Sequence, residues 1–307
     1  MSAWFERFDA QCGQYLPELP VLHEEPMSAH TTFRVGGNAR RMAKVRSCEE
    51  LSALLTLVHE QGYPYLLLGN GSNLLVADEG IDCLVIHTGA LQQIERVSDD
   101  TLYARAGVSL AKLAVFAMRH SLTGLEFAHG IPGSLGGAVC MNAGAYGGEM
   151  AQVLREVTAW LPEKGVCTMT LNELALSYRH SYFSDHAGVV LGAKLQLTAG
   201  DENAIRAQME ELIGRRREKQ PLEYPSAGSF FKRPEGHFAG ALIEQCGLKG
   251  ASVGGAQVSE KHAGFIVNTG SATCDDVLAL MRKVQTIVRE QTGVQLEPEV
   301  RMIGCAR

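Results

Sequence analysis

The sequence has no apolar run long enough to cross a bilayer. Its longest, Tyr65 to Leu68 and Gly188 to Ala193, fall far short of the ~20 residues that a membrane-spanning helix needs. It has no C-x-x-C pair and no H-E-x-x-H motif. The eight cysteines (12, 48, 83, 140, 167, 246, 274 and 305) are scattered. That pattern suits reduced, mostly buried thiols in a reducing compartment, not a disulfide frame or a zinc site. Glu6, Arg7 and Asp9 stand where a secretory signal would carry its apolar stretch. A cytoplasmic protein with no membrane partner and no metal is therefore expected. Charge of one sign is also scarce: 28 Lys+Arg face 34 Asp+Glu, for a net charge of -6. Duplex binding relies on clustered basic residues that release counterions, so nucleic acid is not an expected partner. A small anionic substrate held by a few local cations is not excluded.

The chain of 307 residues is long enough for about two domains. With 46% apolar and 20% charged residues it has ordinary globular composition. A chain of this size buries enough surface to need no staple.

Arg41 to Arg46 alternates like a strand. Ser47 then reads as a helix N-cap, with Glu50 three residues on to complete a capping box. Leu51, Leu54, Leu55 and Val58 make an amphipathic helical stripe, Gly62 ends it, and Tyr63 to Leu68 is an apolar strand. This β-α-β unit places at least part of the fold in the α/β or α+β class. The middle of the chain reads mainly as strands: Cys83 to His87, Thr101 to Ala106, Glu156 to Leu161, Val166 to Leu171 and Val189 to Leu197. One helix, Leu110 to His120, interrupts them behind a Ser109 cap. The last third is helix-rich, with Asn203 to Lys219, His237 to Cys246 closed by Gly247, and Thr273 to Thr292 closed by Gly293. A domain boundary is expected near Gly200, in the polar stretch Ala199 to Asn203. The run Arg215-Arg-Arg-Glu-Lys219 reads as mostly the solvated end of its helix, where cations are favoured.

Glycine is the one composition excess, 33 residues in all, and it clusters. Gly69-Asn-Gly-Ser-Asn73 follows a buried strand directly. Successive amides in such a loop can form an anion-binding nest, and glycine lets a phosphate approach. A tight hairpin turn is the alternative. The loop is neither a Rossmann fingerprint nor a Walker loop, because Leu74 to Val76 continues as strand and no G-K-[ST] follows. The second cluster, Gly130 to Gly148, holds seven glycines in nineteen residues. A core helix or strand is not expected there, since each glycine costs up to ~1 kcal/mol. Close approach of backbone to something flat, or to another backbone, is. A glycine-rich packing loop is the alternative.

Six segments in order carry a resemblance. They are Thr32-Phe-Arg-Val-Gly-Gly37, Leu68-Gly-Asn-Gly-Ser-Asn73, Gly130-Ile-Pro-Gly-Ser-Leu-Gly-Gly137 with Asn142-Ala-Gly-Ala-Tyr-Gly147, Tyr178-Arg-His-Ser181, Ala227-Gly-Ser-Phe-Phe-Lys232, and Leu296-Glu-Pro-Glu-Val-Arg301. Together they resemble the UDP-N-acetylenolpyruvoylglucosamine reductase family across nearly the whole chain. The resemblance implies an α+β fold: an FAD-binding domain of the vanillyl-alcohol-oxidase (PCMH) type in two lobes, about 1–76 and 77–199, plus a smaller α/β domain, 200–307, for the UDP-sugar. The C-terminal tail would return to the active site.

The resemblance also implies non-covalent FAD as cofactor, NADPH as reductant, and UDP-N-acetylglucosamine enolpyruvate as substrate, in a cytoplasmic monomer of the peptidoglycan pathway. It places FAD against Gly69, Asn70, Gly71, Ser72 and Asn73 of the first loop. From the second cluster it adds Gly130, Ile131, Pro132, Gly133, Ser134, Gly137, Asn142, Gly144 and Tyr146. Arg179 would bind the substrate carboxylate, Ser229 would donate a proton, and Glu299 would assist the enol. Tyr178, Lys219, Arg233 and Arg301 are candidate substrate contacts. Taken one at a time, Arg179 reads equally as a surface cation, Ser229 as a loop serine and Glu299 as a solvated carboxylate.

The sequence departs from the family in two respects. Longer members carry an insertion whose tyrosine closes over the substrate; 50 positions separate Arg179 from Ser229, and no such insertion is found. The chain thus resembles the shorter subtype. His129 stands before Gly130, where a small or apolar residue is expected. Two rival functions share these residues: a flavin oxidase of the same fold, and a nucleotide-sugar binder that has lost its flavin.

Overall fold

The computed structural model describes residues 3–305. It divides into two compact units. The first comprises residues 1–22, 41–70 and 83–216, the second residues 23–40, 71–82 and 217–307.

The first unit opens with a helix, Trp4–Tyr15, that the sequence reading did not assign. Phe8 and Cys12 are its buried residues. Asp9 on the same helix accepts a forked pair from Arg41, Nε to Oδ1 at 2.8 Å and Nη2 to Oδ2 at 2.6 Å. The helix Cys48–Gln61 follows as expected, capped by Gly62 in the left-handed region at φ 67°. Only half of the expected capping box forms. Ser47 accepts from the Glu50 amide at 3.1 Å, but the Glu50 carboxylate turns to Arg46, taking its amide at 2.7 Å and its guanidinium at 2.5 Å. The guanidinium outcompetes a single neutral N–H, because a charge-assisted contact is the stronger one.

The strand Tyr65–Leu68 pairs in parallel with Ile81–His87, which lies between it and Asn38–Lys44 in the sheet order. A second sheet has five antiparallel strands, in the order Gly165–Thr170, Leu154–Leu161, Val189–Gln196, Thr101–Arg105, Ile94–Arg96. Val166–Leu171 was expected as one strand. The strand stops at Thr170, whose amide and hydroxyl both donate to Glu173 at 2.8 Å and start a helical turn, Leu171–Leu174. Helix Leu110–Arg119 forms as read, with Ser109 as its cap.

The second unit holds a four-stranded sheet, in the order Ser226–Ser229, Phe265–Asn268, Ala256–Val258, Ser252–Val253. Its long helix, Cys274–Thr292, buries Val277, Leu280, Val284 and Val288 on one face. Thr273 caps one end and Gly293, at φ 75°, the other. The strand Arg301–Ile303 pairs in parallel with Leu74–Val76.

The boundary expected near Gly200 is displaced. Helix Glu202–Lys219 begins with Ile205 and Met209 buried in the core of the first unit, so the polar stretch before it ends no domain. The division falls instead between Arg216 and Arg217. The lobe limits near residue 76 shift for a similar reason: Phe33, Val35 and Leu75 pack in the core of the second unit.

Candidate active site

In the first unit Gly69 and Asn70 meet the second glycine cluster. A Cβ built on Gly69 would lie 2.2 Å from Ser134 Oγ, so only glycine lets Ser134 sit there. Asn70 donates its side-chain amide to the Pro132 carbonyl at 3.3 Å. Among the described residues, the amides of Asn70, Gly71, Ser72 and Asn73 donate no backbone hydrogen bond, and neither do those of Gly133 and Ser134. Backbone N–H groups left without partners in glycine-rich loops are what an anion-binding nest requires.

The second cluster does contain a helix, Leu135–Cys140, which the glycine content argued against. The reason is packing. A Cβ on Gly136 would lie 3.0 Å from Ala106 Cβ, and the Gly136 and Leu135 amides donate to Ala106 and Val108 carbonyls at 2.8 Å. Glycine lets this helix lie on the backbone of its neighbour, which outweighs its poor helix propensity. Gly137 is different: the nearest atom to its added Cβ is Ser134 Oγ, at an ordinary 3.7 Å.

Asn142 is 1% exposed and committed at both ends of its amide. It donates to the Ser177 carbonyl at 3.1 Å and accepts from the Ala151 amide at 2.9 Å. Its observed partners are therefore protein groups. It fixes the turn Ser177-Tyr-Arg-His180, whose end residues exchange backbone hydrogen bonds at 3.1 and 3.2 Å. Within that turn Arg179 adopts φ 55°, an uncommon conformation for a residue with a long side chain. Its guanidinium lies 5.1 Å from the centre of the Tyr178 ring and reaches the Gly144 carbonyl at 3.5 Å. Gly144 belongs to a hairpin turned by Tyr146 and Gly147, both at positive φ. The structure thus gathers Tyr178, Arg179, Asn142, Gly144 and Tyr146 around one hairpin.

Of two groups near Gly130, Arg216 was not identified from the sequence and His129 was noted only as a departure from the family. Arg216 was read as part of a solvated helix end, yet it is half-buried, and burial lowers its pKa from the usual guanidinium value. Its Cδ would lie 3.2 Å from a Cβ on Gly130, and among the described residues no carboxylate pairs with it. The signal was present in the helical spacing. Arg216 continues the inward stripe of Ile205, Met209, Leu212 and Ile213, so its charge points where a solvated cation would not. His129 Nδ1 is buried without a hydrogen-bond partner, and burial holds its imidazole toward the neutral form. An unpaired half-buried cation, an orphaned polar nitrogen and unfilled amides fit a flat, anionic dinucleotide such as FAD.

In the second unit Ser229 ends the edge strand Ser226–Ser229, and Glu299 lies in the segment that leads into the strand Arg301–Ile303. Ser226 pairs with Val267 and Ser229 with Phe265, so the edge strand carries one extra residue. Gly228 absorbs it at φ 81°. Such a bulge re-aims side chains: Ser229 is exposed, while the next two residues, Phe230 and Phe231, are both buried. The Glu299 amide donates to the Phe230 carbonyl at 2.9 Å, and Phe231 bridges Pro298. Asn73 fixes this segment twice, donating to the Glu299 carbonyl at 3.2 Å and accepting from the Arg301 amide at 3.0 Å. Thr32 bonds the Gly71 carbonyl through its amide and the Ser226 carbonyl through its hydroxyl, at 3.1 and 2.7 Å. Four of the resembling segments are joined by these contacts. Lys219 and Arg301 are exposed in this unit, and Arg233 covers the exposed Phe238 ring at 4.0 Å.

Comparison with known proteins accords with this geometry. Residues 220–303 match the family described as UDP-N-acetylenolpyruvoylglucosamine reductase, C-terminal domain, and residues 39–170 match the FAD binding domain family. A UDP-N-acetylenolpyruvoylglucosamine reductase of Agathobacter rectalis is 50% identical over 97% of this chain and 99% of its own. One from Listeria innocua is 47% identical over 94% of this chain and 96% of its own. The crystal structure of the Thermus caldophilus enzyme of that name superposes with a TM-score of 0.78 at 37% identity, covering 93% of this chain and 99% of that one. An alkyldihydroxyacetonephosphate synthase shares the fold alone, with a TM-score of 0.50 at 15% identity over 64% of this chain and 44% of its own.

Proposed function

The chain belongs to the UDP-N-acetylenolpyruvoylglucosamine reductase family, and on that premise we propose how its own residues divide the work. It is an α+β, FAD-dependent oxidoreductase that reduces the enolpyruvyl group of UDP-N-acetylglucosamine enolpyruvate in peptidoglycan precursor synthesis. FAD would lie, without a covalent bond, against the amides of Asn70 to Asn73 and the loop from Gly130 to Gly137. Arg216 would supply the cation that faces its diphosphate. NADPH is the proposed reductant. When bound, the flavin supplies a hydride donor for the enolpyruvyl methylene carbon.

The remaining work falls to side chains. As hydride arrives, negative charge develops on the neighbouring carbon and spreads into the carboxylate. Arg179, already held in a constrained turn, would pair with that carboxylate and stabilise the charge as it forms. Ser229 would protonate the carbon. A serine is a weak acid, and it serves here because the acceptor is strongly basic and the hydroxyl is held beside it. Glu299 would assist the enol as a protonated or hydrogen-bonded carboxyl. Tyr178, Lys219, Arg233 and Arg301 are proposed to hold the rest of the substrate, with the cations on its diphosphate.

The observation that carries this reading is the hydrogen bond from the Glu299 amide to the Phe230 carbonyl, which sets Glu299 beside the bulge that exposes Ser229. The eight free cysteines fit a cytoplasmic enzyme, and we propose that it acts as a monomer. Among the described residues no helix is long and apolar enough to cross a membrane. The test is product analysis after turnover in D2O. Solvent deuterium should enter at the carbon beside the carboxylate in the wild type, and Ser229→Ala should slow that incorporation. No deuterium at that carbon, or an unchanged rate in the variant, would contradict the assignment.

A further inference from the structure

In the second unit two thiols face each other outside the residues assigned above. Cys274, the first residue of the long helix, is 2% exposed. Its sulfur lies 3.4 Å from that of Cys305, which is only partly buried. Cys305 follows the strand Arg301–Ile303, and its sulfur also faces the Leu75 and Ile303 carbonyls at 3.9 and 3.6 Å. We propose that Cys274 and Cys305 are a reversible dithiol–disulfide site, oxidised by hydroperoxide, that clasps the C-terminal strand to the helix.

The geometry favours this chemistry. A disulfide needs sulfurs about 2.05 Å apart, so closure requires a movement of about 1.4 Å, within reach of small side-chain rotations. The two thiols are also unequal. The hydrogen bond with Cys305, then burial, raises the pKa of Cys274, while the same contact lowers that of Cys305. Asp78 and Asp275 are the charged groups near both, and each works against thiolate formation. The more exposed sulfur is therefore the better nucleophile, and the buried one is poised to resolve.

The step balances as follows. The Cys305 thiolate attacks one peroxide oxygen, breaks the O–O bond, and becomes a sulfenic acid while hydroxide leaves and takes a proton to give water. The Cys274 sulfur then attacks the sulfenic sulfur and loses its proton as a second water departs. Two thiols are oxidised by two electrons and one hydroperoxide is reduced. The consequence is mechanical. Arg301–Ile303 is paired with Leu74–Val76, and its approach carries Glu299. A bond from Cys305 to the helix would pin that strand at its far end.

The test uses the FAD-loaded enzyme and stoichiometric hydrogen peroxide, with intact mass, peptide mapping and thermal unfolding as readouts. The expected result is a 2 Da loss and a peptide linking residues 274 and 305. The unfolding midpoint should rise by about 5–10 °C, since the bond closes a loop of some thirty residues. Dithiothreitol should reverse all three. Cys305→Ser, at the more exposed position, should fold normally and show neither link nor shift. Oxidation of Cys305 to sulfinic acid without a link would overturn the proposal. So would a link that leaves the midpoint unchanged, or a midpoint rise that persists in Cys305→Ser. None of these readouts depends on turnover, so failure here leaves the proposed function standing.

Discussion

Gly69 and Ser134 share one space: the serine hydroxyl lies 2.2 Å from where any Cβ at position 69 would be. The contact joins two loops that are 65 positions apart in sequence. Gly69→Ala must therefore push Ser134 away or shift the loop. Overpacking of this kind costs about 1–3 kcal/mol, and here it falls on the residues proposed to hold FAD. The variant should be purified with a reduced flavin content and an unfolding midpoint several degrees lower. Adding Ser134→Ala removes the clashing oxygen and leaves only a 3.2 Å contact with its Cβ, so the double variant should recover most of both losses. Fluorescence titration with FAD checks this directly.

Arg216 carries a prediction of opposite signs. A half-buried cation without a carboxylate is costly to the folded chain. Arg216→Met keeps the volume and removes the charge, so the FAD-free protein should unfold at the same or a higher temperature. Hydrogen bonds to a charged partner contribute about 1.5–3 kcal/mol, so FAD affinity should fall about 10- to 100-fold. Loss of stability without loss of affinity would assign Arg216 to the fold instead of the cofactor.

Ser229 and Glu299 separate the two half-reactions. Ser229→Ala should leave reduction by NADPH near normal and slow reoxidation by the enolpyruvyl sugar by about 10²- to 10⁴-fold, the usual worth of a positioned general acid. Glu299→Gln should also act only on reoxidation. Stopped-flow flavin absorbance resolves the two phases. Near-normal reoxidation in Glu299→Gln would show that its proton and charge are unnecessary.

His129 and His262 predict a pH dependence. Burial lowers the pKa of both from the ordinary histidine value. His262 also accepts the Gly264 amide on Nδ1 at 3.0 Å, which requires that nitrogen to be unprotonated. The unfolded chain binds these protons more readily than the folded one. Stability should therefore be full above the unfolded histidine value of about 6.5 and decline as pH falls below it, down to the lowered folded values. His262→Asn offers an oxygen to the same amide and no proton-binding site. Its urea midpoint should fall less than that of the wild type between pH 7 and pH 5. An equal fall in both would remove His262 from the account.

Much of the fold was legible because local signals agreed with packing. Ser47, Gly62, Ser109 and Gly293 cap the helices as their residue types suggest. The long helix shows its buried stripe in the spacing of Val277, Leu280, Val284 and Val288. The misses have physical causes. Helix Leu135–Cys140 defied its glycine content because Gly136 must lie on Ala106, a tertiary demand that no local rule contains. The boundary near Gly200 was misplaced because Ile205 and Met209 belong to the preceding core. In the site, the order of the segments identified the family, but not which polar groups remain unpaired. Arg216 looked like its solvated neighbours until its burial was seen, and nothing in the sequence showed that the Asn142 side chain bonds Ser177 and Ala151.

The central claim is that this chain binds FAD in its glycine loops and passes hydride through it to the enolpyruvyl sugar. The most direct test is a visible spectrum of the purified holoenzyme, followed anaerobically as NADPH and then UDP-N-acetylglucosamine enolpyruvate are added. The account predicts a flavin spectrum that NADPH bleaches and the sugar restores. A flavin that NADPH cannot bleach, or that only oxygen restores, would contradict it.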